Sequence, residues 1–99
     1  MVESEVLNAA RAYADAVRAL IDAKAIFLYG SHARGTATKD SDIDIAVVVD
    51  QVPDDYLTAV SKLWSLTRKV NLNIEPVLLT EADNQSGFLQ TVERTGIAV

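Results

Sequence analysis

Ten residues separate a Gly-Ser pair (Gly30-Ser31) from an Asp-x-Asp pair (Asp42, Asp44), and each pair borders an apolar run. Ala25–Tyr29 (A-I-F-L-Y) is a short continuous apolar stretch stopped by glycine, which predicts a buried central strand. Residues 42–50 (D-I-D-I-A-V-V-V-D) alternate, which predicts a second strand. Asp42, Asp44, Ala46 and Val48 share one face, and Ile43, Ile45, Val47 and Val49 share the other. The two carboxylates therefore project the same way, about 7 Å apart along the backbone. If the strands pair, both lie near the Gly30-Ser31 turn. Gly30 lets the backbone turn and approach a ligand closely. Ser31–Gly35 reads as one or two helical turns closed by Gly35, and the amides at its start can point at a phosphate. The Ser31 hydroxyl adds a donor, and Arg34 can add charge, bidentate where geometry allows.

The flanking chain supplies a scaffold for these two strands. Residues 4–23 read as an amphipathic helix capped by Ser4, with Val6, Ala10, Tyr13, Val17, Leu20 and Ile21 inward. Pro53 opens a second helix, residues 53–69, with Asp54 and Asp55 at its positive end. Leu57, Val60, Leu63, Trp64 and Thr67 form its predicted inner stripe, so Trp64 reads as a core anchor rather than a base-stacking platform. Residues 70–79 (V-N-L-N-I-E-P-V-L-L) alternate again. Val70, Leu72 and Ile74 face one side, and Asn71, Asn73 and Glu75 face the other. Pro76 places this strand at an edge or ends its pairing there. A carboxylate in such a strand is costly to bury without a partner or ligand, so Glu75 is the third residue of interest. Residues 80–95 look helical, in two pieces, with Thr80 and Asp83 as a capping box and Ser86 starting the second piece. Gly96 stops the helix, and residues 97–99 could add a last strand. The pattern is α/β, in one domain spanning residues 1–99.

Composition narrows the chemistry. The 99 residues include no cysteine, so a metal must sit on oxygen ligands or on the single His32. One histidine cannot build a histidine cage, and a solvent-facing role is expected for it. The net charge of −5 argues against direct binding of a nucleic-acid backbone, which needs a basic surface. It is no argument against a nucleoside triphosphate whose charge a metal ion shares. No apolar run approaches the roughly 20 residues that span a bilayer, and the acidic start does not resemble a signal peptide, so a soluble cytoplasmic protein is expected. Ser41 reads as the cap of the turn before Asp42, and Lys39 as an exposed loop residue. For Arg34, a salt bridge to Asp40 or Asp42 stands beside a role at the phosphate.

Two jobs are implied together, phosphate binding at Gly30-Ser31 and metal binding at Asp42 and Asp44. A hard ion such as Mg²⁺ readily uses one or two carboxylates plus substrate phosphates. Glu75 on a neighbouring strand would let two ions sit together. Three carboxylates without a cation would repel one another.

Gly30-Ser31 followed by Asp42-Ile43-Asp44-Ile45 resembles the signature of the DNA polymerase β-like nucleotidyltransferases. The fuller pattern, G-S-x-A-R-G then S-D-I-D-I, resembles the minimal nucleotidyltransferases, MNT-type proteins often encoded beside HEPN-domain partners. The resemblance implies a palm-like fold, a mixed central sheet with helices mainly on one face. It implies transfer of a nucleoside monophosphate from an NTP, with two Mg²⁺ ions and release of pyrophosphate. Gly30 and Ser31 would hold the triphosphate, Asp42 and Asp44 would bind both metals, and Glu75 would take the third acidic place, with Asn73 the alternative should the register differ. It further suggests AMP transfer to a tyrosine of a HEPN-type toxin, an antitoxin role. Two other readings remain: a catalytically weak nucleotide-binding or toxin-neutralising subunit, and a small-molecule nucleotidyltransferase acting on a substrate such as an aminoglycoside, whose usual second domain is absent. Self-association is left open.

Overall fold

Strand alternation decides the layers. The computed structural model describes residues 3–51, 55–81 and 87–99. In chain order the elements are α1 (Ser4–Leu20), β1 (Ala25–Tyr29), α2 (Ser31–Arg34), β2 (Ile43–Val49), α3 (Tyr56–Val70), β3 (Ile74–Thr80), α4 (Phe88–Thr95) and β4 (Ile97–Ala98). The strands form one sheet in the order β3-β2-β1-β4. β1 runs antiparallel to both β2 and β4, while β2 and β3 are parallel and joined by α3. The sheet is therefore mixed.

On one face, Ile26, Leu28, Ile43, Ile45, Val47, Val49, Ile74 and Leu78 meet Ala10, Tyr13, Ala14 and Val17 of α1 and Ala59, Leu63 and Leu66 of α3. The Tyr13 hydroxyl donates a 2.6 Å hydrogen bond to the Leu63 carbonyl, pinning the two helices through the core. On the opposite face Ala46 and Val48 are buried, and α4 lies beside β1 with Leu89 and Val92 turned in. Phe88 meets Tyr29 edge-on, ring centroids 5.5 Å apart. Two long helices on one face and one short helix on the other match the expected architecture.

Several local expectations need correction. Glu3, not Ser4, is the N-cap of α1, and Leu20 is exposed because the helix ends there. The inner stripe of α3 is Ala59, Leu63, Leu66 and Thr67, so Leu57 is 73% and Trp64 45% exposed. Trp64 is not a core anchor. Leu63 of this stripe meets α1 through the Tyr13 hydroxyl. Asp55 caps α3, accepting from the amides of Leu57 and Thr58. Pro53 and Asp54 lie outside the described residues. α3 continues through Val70, so the third strand begins at Ile74 rather than Val70, and Leu72 is exposed. β3 is indeed an edge strand, but its pairing runs through Pro76 to Thr80. Thr80 therefore ends a strand rather than starting a helix, and the expected caps at Asp83 and Ser86 lie outside the described residues.

Candidate active site

Strand pairing alone brings the predicted residues to one end of the sheet. In the antiparallel β1/β2 ladder Tyr29 stands opposite Asp44. In the parallel β2/β3 ladder Glu75 stands opposite Asp44. Tyr29, Asp44 and Glu75 thus form a row across three strands on the face away from α1 and α3. Asp42 precedes β2 by one residue, and its side chain shares a hydrogen bond with Glu75.

Gly30 closes the other side. Its φ of 76° and ψ of −151° belong to a region that only glycine occupies at low cost. A methyl group there would land on Asp44 Oδ2. The Gly30 turn and Asp44 are therefore packed directly against each other. Behind the turn, Ser31–Arg34 form one helical turn, and Gly35 ends it in the left-handed conformation at φ 79°. The amides at the start of such a turn have no acceptor within the helix. Arg34 is exposed and makes no ion pair with Asp40 or Asp42.

The carboxylates sense one another. Burial pushes the Asp44 carboxyl above the usual range, Asp42 pushes it further, and the nearby His32 and Arg34 partly offset both. Glu75 is also raised, first by lost hydration, then by the charges of Asp42 and Asp44 and its hydrogen bond with Asp42. The Tyr29 phenol is raised by burial and by the charges of Asp44 and Glu75. Glu75 itself is exposed, not the buried acid expected from its apolar neighbours, because β3 is at the edge and this end of it faces solvent. Among the described residues, no three His, Asp or Glu side chains converge on one point closely enough to hold a metal ion. The donor set nevertheless suits a hard divalent cation: oxygen ligands only, with neighbouring charges that raise the Asp44 and Glu75 carboxyls. Asn73 precedes β3, its amide bonded to Asn71 Oδ1, and it is not the residue opposite Asp44.

His32 corrects a further expectation. It is buried, with Nε2 3.3 Å from the Ser41 carbonyl oxygen, rather than solvent-facing. A four-residue helix has no period from which its facing could be read. Tyr29 was not singled out either, although its parity with Ala25 and Phe27 would have placed it beside Asp44 once the strands were paired. Ser41 closes the turn as expected, its hydroxyl accepting from the Thr38 amide at 2.9 Å. A cavity of about 800 Å³, lined by residues such as Ile21, Val49, Asp55 and Lys62, lies at the other end of β2 and touches none of these groups.

A mixed sheet with this turn and acidic row defines a class of phosphoryl-group enzymes, and comparison with known proteins names it. Residues 15–99 match the family model described as "Polymerase beta, Nucleotidyltransferase", and the chain belongs to that family. It is a nucleotidyltransferase. The chain is 28% identical over 78 residues to "Putative protein adenylyltransferase MJ0141" of Methanocaldococcus jannaschii, covering 75% of this chain and 76% of that one. The fold resembles a crystal structure of a "putative nucleotidyltransferase" from Sulfolobus solfataricus, with a TM-score of 0.65 and 20% identity over 94% of this chain and 78% of that one. It also resembles a toxin-antitoxin crystallised with AMP-PNP, with a TM-score of 0.59, 23% identity and coverage of 99% and 72%. A variant of the toxin-antitoxin MntA-HpeT gives a TM-score of 0.57 and 22% identity over the same shares. No helix among the described residues is long and apolar enough to cross a membrane.

Proposed function

We propose that this chain transfers AMP from ATP to a hydroxyl of a protein, a tyrosine of a HEPN-type toxin, and thereby acts as an antitoxin in the cytoplasm. The observation that carries the reading is the contact between the Gly30 turn and Asp44, with Asp42 and Glu75 hydrogen-bonded alongside. The adenylyltransferase name of the archaeal relative and the toxin-antitoxin neighbours support it. On this reading the backbone at Gly30-Ser31 and the Ser31 hydroxyl hold the triphosphate, and Arg34 adds charge. Asp42, Asp44 and Glu75 are the residues that would hold two Mg²⁺ ions. When bound, these would neutralise phosphate charge and ease ionisation of the acceptor hydroxyl.

The acceptor oxygen attacks the α-phosphorus in line, a new P–O bond forms, and the bond to the β-phosphate oxygen breaks so that pyrophosphate leaves. Glu75 or one of the aspartates takes the acceptor's proton. On this reading the acceptor hydroxyl comes from another chain and meets the row at the exposed Asp42 and Glu75. The test is incubation with labelled ATP, CTP, GTP or UTP, Mg²⁺ and any co-purifying protein. Label from ATP in the partner is expected. Label from another NTP would change the nucleotide, and no label with any of them would reject the transfer.

A second reading is favoured by one observation, that no three acidic side chains converge closely in the described residues. The chain would then neutralise its partner by contact, binding nucleotide with little chemistry. Asp42→Asn and Asp44→Asn separate the two readings, since neutralisation by contact would survive both substitutions.

A further inference from the structure

We propose that His32 is a positioning residue that fixes the backbone of Asp42, and through it the metal-binding geometry; this rests on the nucleotidyltransferase reading of the site. Asp42 lies outside β2, at the end of a polar loop, where no ladder holds it on both sides. Its two flanking peptides are nonetheless anchored. The Ser41 carbonyl, in the peptide before Asp42, faces His32 Nε2 at 3.3 Å. The Ile43 amide, in the peptide after it, donates to the Asn73 carbonyl at 2.8 Å. One anchor comes from the helix that follows the Gly30 turn, the other from the chain entering β3.

A carbonyl only accepts, so the facing ring nitrogen is the donor of this contact. The ring is buried, so its orientation is set by packing. Among the described residues, the loop is otherwise held by Thr36, bonded back to the Ser31 carbonyl, and by Thr38 and Ser41, bonded reciprocally. His32 is thus the side chain that joins the turn at Gly30-Ser31 to the start of the acidic strand. Groups that orient a metal ligand without touching the metal typically matter by about 10–100-fold in affinity.

The test compares two side chains of similar length, only one of which can donate: His32→Gln, whose amide can reach the Ser41 carbonyl, and His32→Met, which cannot donate. Mn²⁺ is titrated by electron paramagnetic resonance into the protein with a saturating non-hydrolysable ATP analogue, and melting temperatures are recorded alongside. His32→Met is expected to weaken Mn²⁺ binding about tenfold or more and His32→Gln to stay within about threefold of the natural protein, with both folded. Equal Mn²⁺ affinity in His32→Met and the natural protein, or equal loss in both variants, overturns the positioning role. Should His32→Met not fold, His32→Asn, too short to reach, takes its place; if both unfold while His32→Gln folds, the contact is structural and the proposal is rejected. No Mn²⁺ binding by the natural protein would instead reject the metal site itself.

Discussion

Gly30 shows how much one residue can decide. Its conformation excludes a side chain, and the space a side chain would need belongs to Asp44. Gly30→Ala therefore carries about 1–3 kcal/mol of backbone strain and displaces the carboxylate. Turnover should fall by about 100-fold or more, as misplaced groups do, and thermal denaturation should show the loss of stability. Asp44 gives a pH signature. Its carboxyl is raised by burial and by Asp42, so the native state binds the proton more readily than the unfolded chain. Stability linked to this group is fully present below the ordinary carboxyl range, about pH 4, and is lost as pH rises through the raised value. Without divalent ions, Asp44→Asn should thus melt higher than the natural protein at pH 7, with the gap closing towards pH 4. If Asp44 holds Mg²⁺ as proposed, excess Mg²⁺ should reverse the order at pH 7, since a carboxylate binds the ion more strongly than an amide oxygen. Melting curves between pH 4 and 8, with and without Mg²⁺, check both statements. These residues were legible because glycine and paired acids carry chemistry in their identity. His32 was not, because its role lies in where a short helix turns it.

At the scale of elements, the strands read more accurately than the helices. The alternation through residues 42–50 placed the carboxylates on one side and the core on the other without knowledge of any partner strand. The α3 stripe read in part: Leu63 and Thr67 face the core as expected, while Ala59 and Leu66 are buried where Leu57 and Trp64 were expected. The facing of α3 is set by its packing against α1 and the sheet, a tertiary fact. Tyr13 marks that contact. Tyr13→Phe removes its hydrogen bond to the Leu63 carbonyl, which should cost about 1 kcal/mol. The melting temperature should then drop by about 4–8 °C, as measured by calorimetry, while nucleotide binding at the distant acidic row is unchanged. The boundary between α3 and β3 was misread because Val70 and Leu72 extend the parity of Ile74, although they end a helix and form a turn.

For the whole molecule, topology does the assembling. An antiparallel pair sets the glycine turn against Asp44, and a parallel crossover through α3 delivers Glu75 to the same row. Three short strands and one turn thus gather groups spread from Gly30 to Glu75, and the helices serve to keep the sheet's other face dry. The central claim is that this row transfers AMP, and intact mass spectrometry of the partner protein tests it most directly. The partner is incubated with ATP, Mg²⁺ and either the natural protein or the Asp42→Asn/Asp44→Asn double variant. The natural protein should add the mass of one or more whole AMP groups, and the folded double variant should add none. An equal gain with both proteins, or no gain with the natural protein while it still neutralises its partner, would contradict the account.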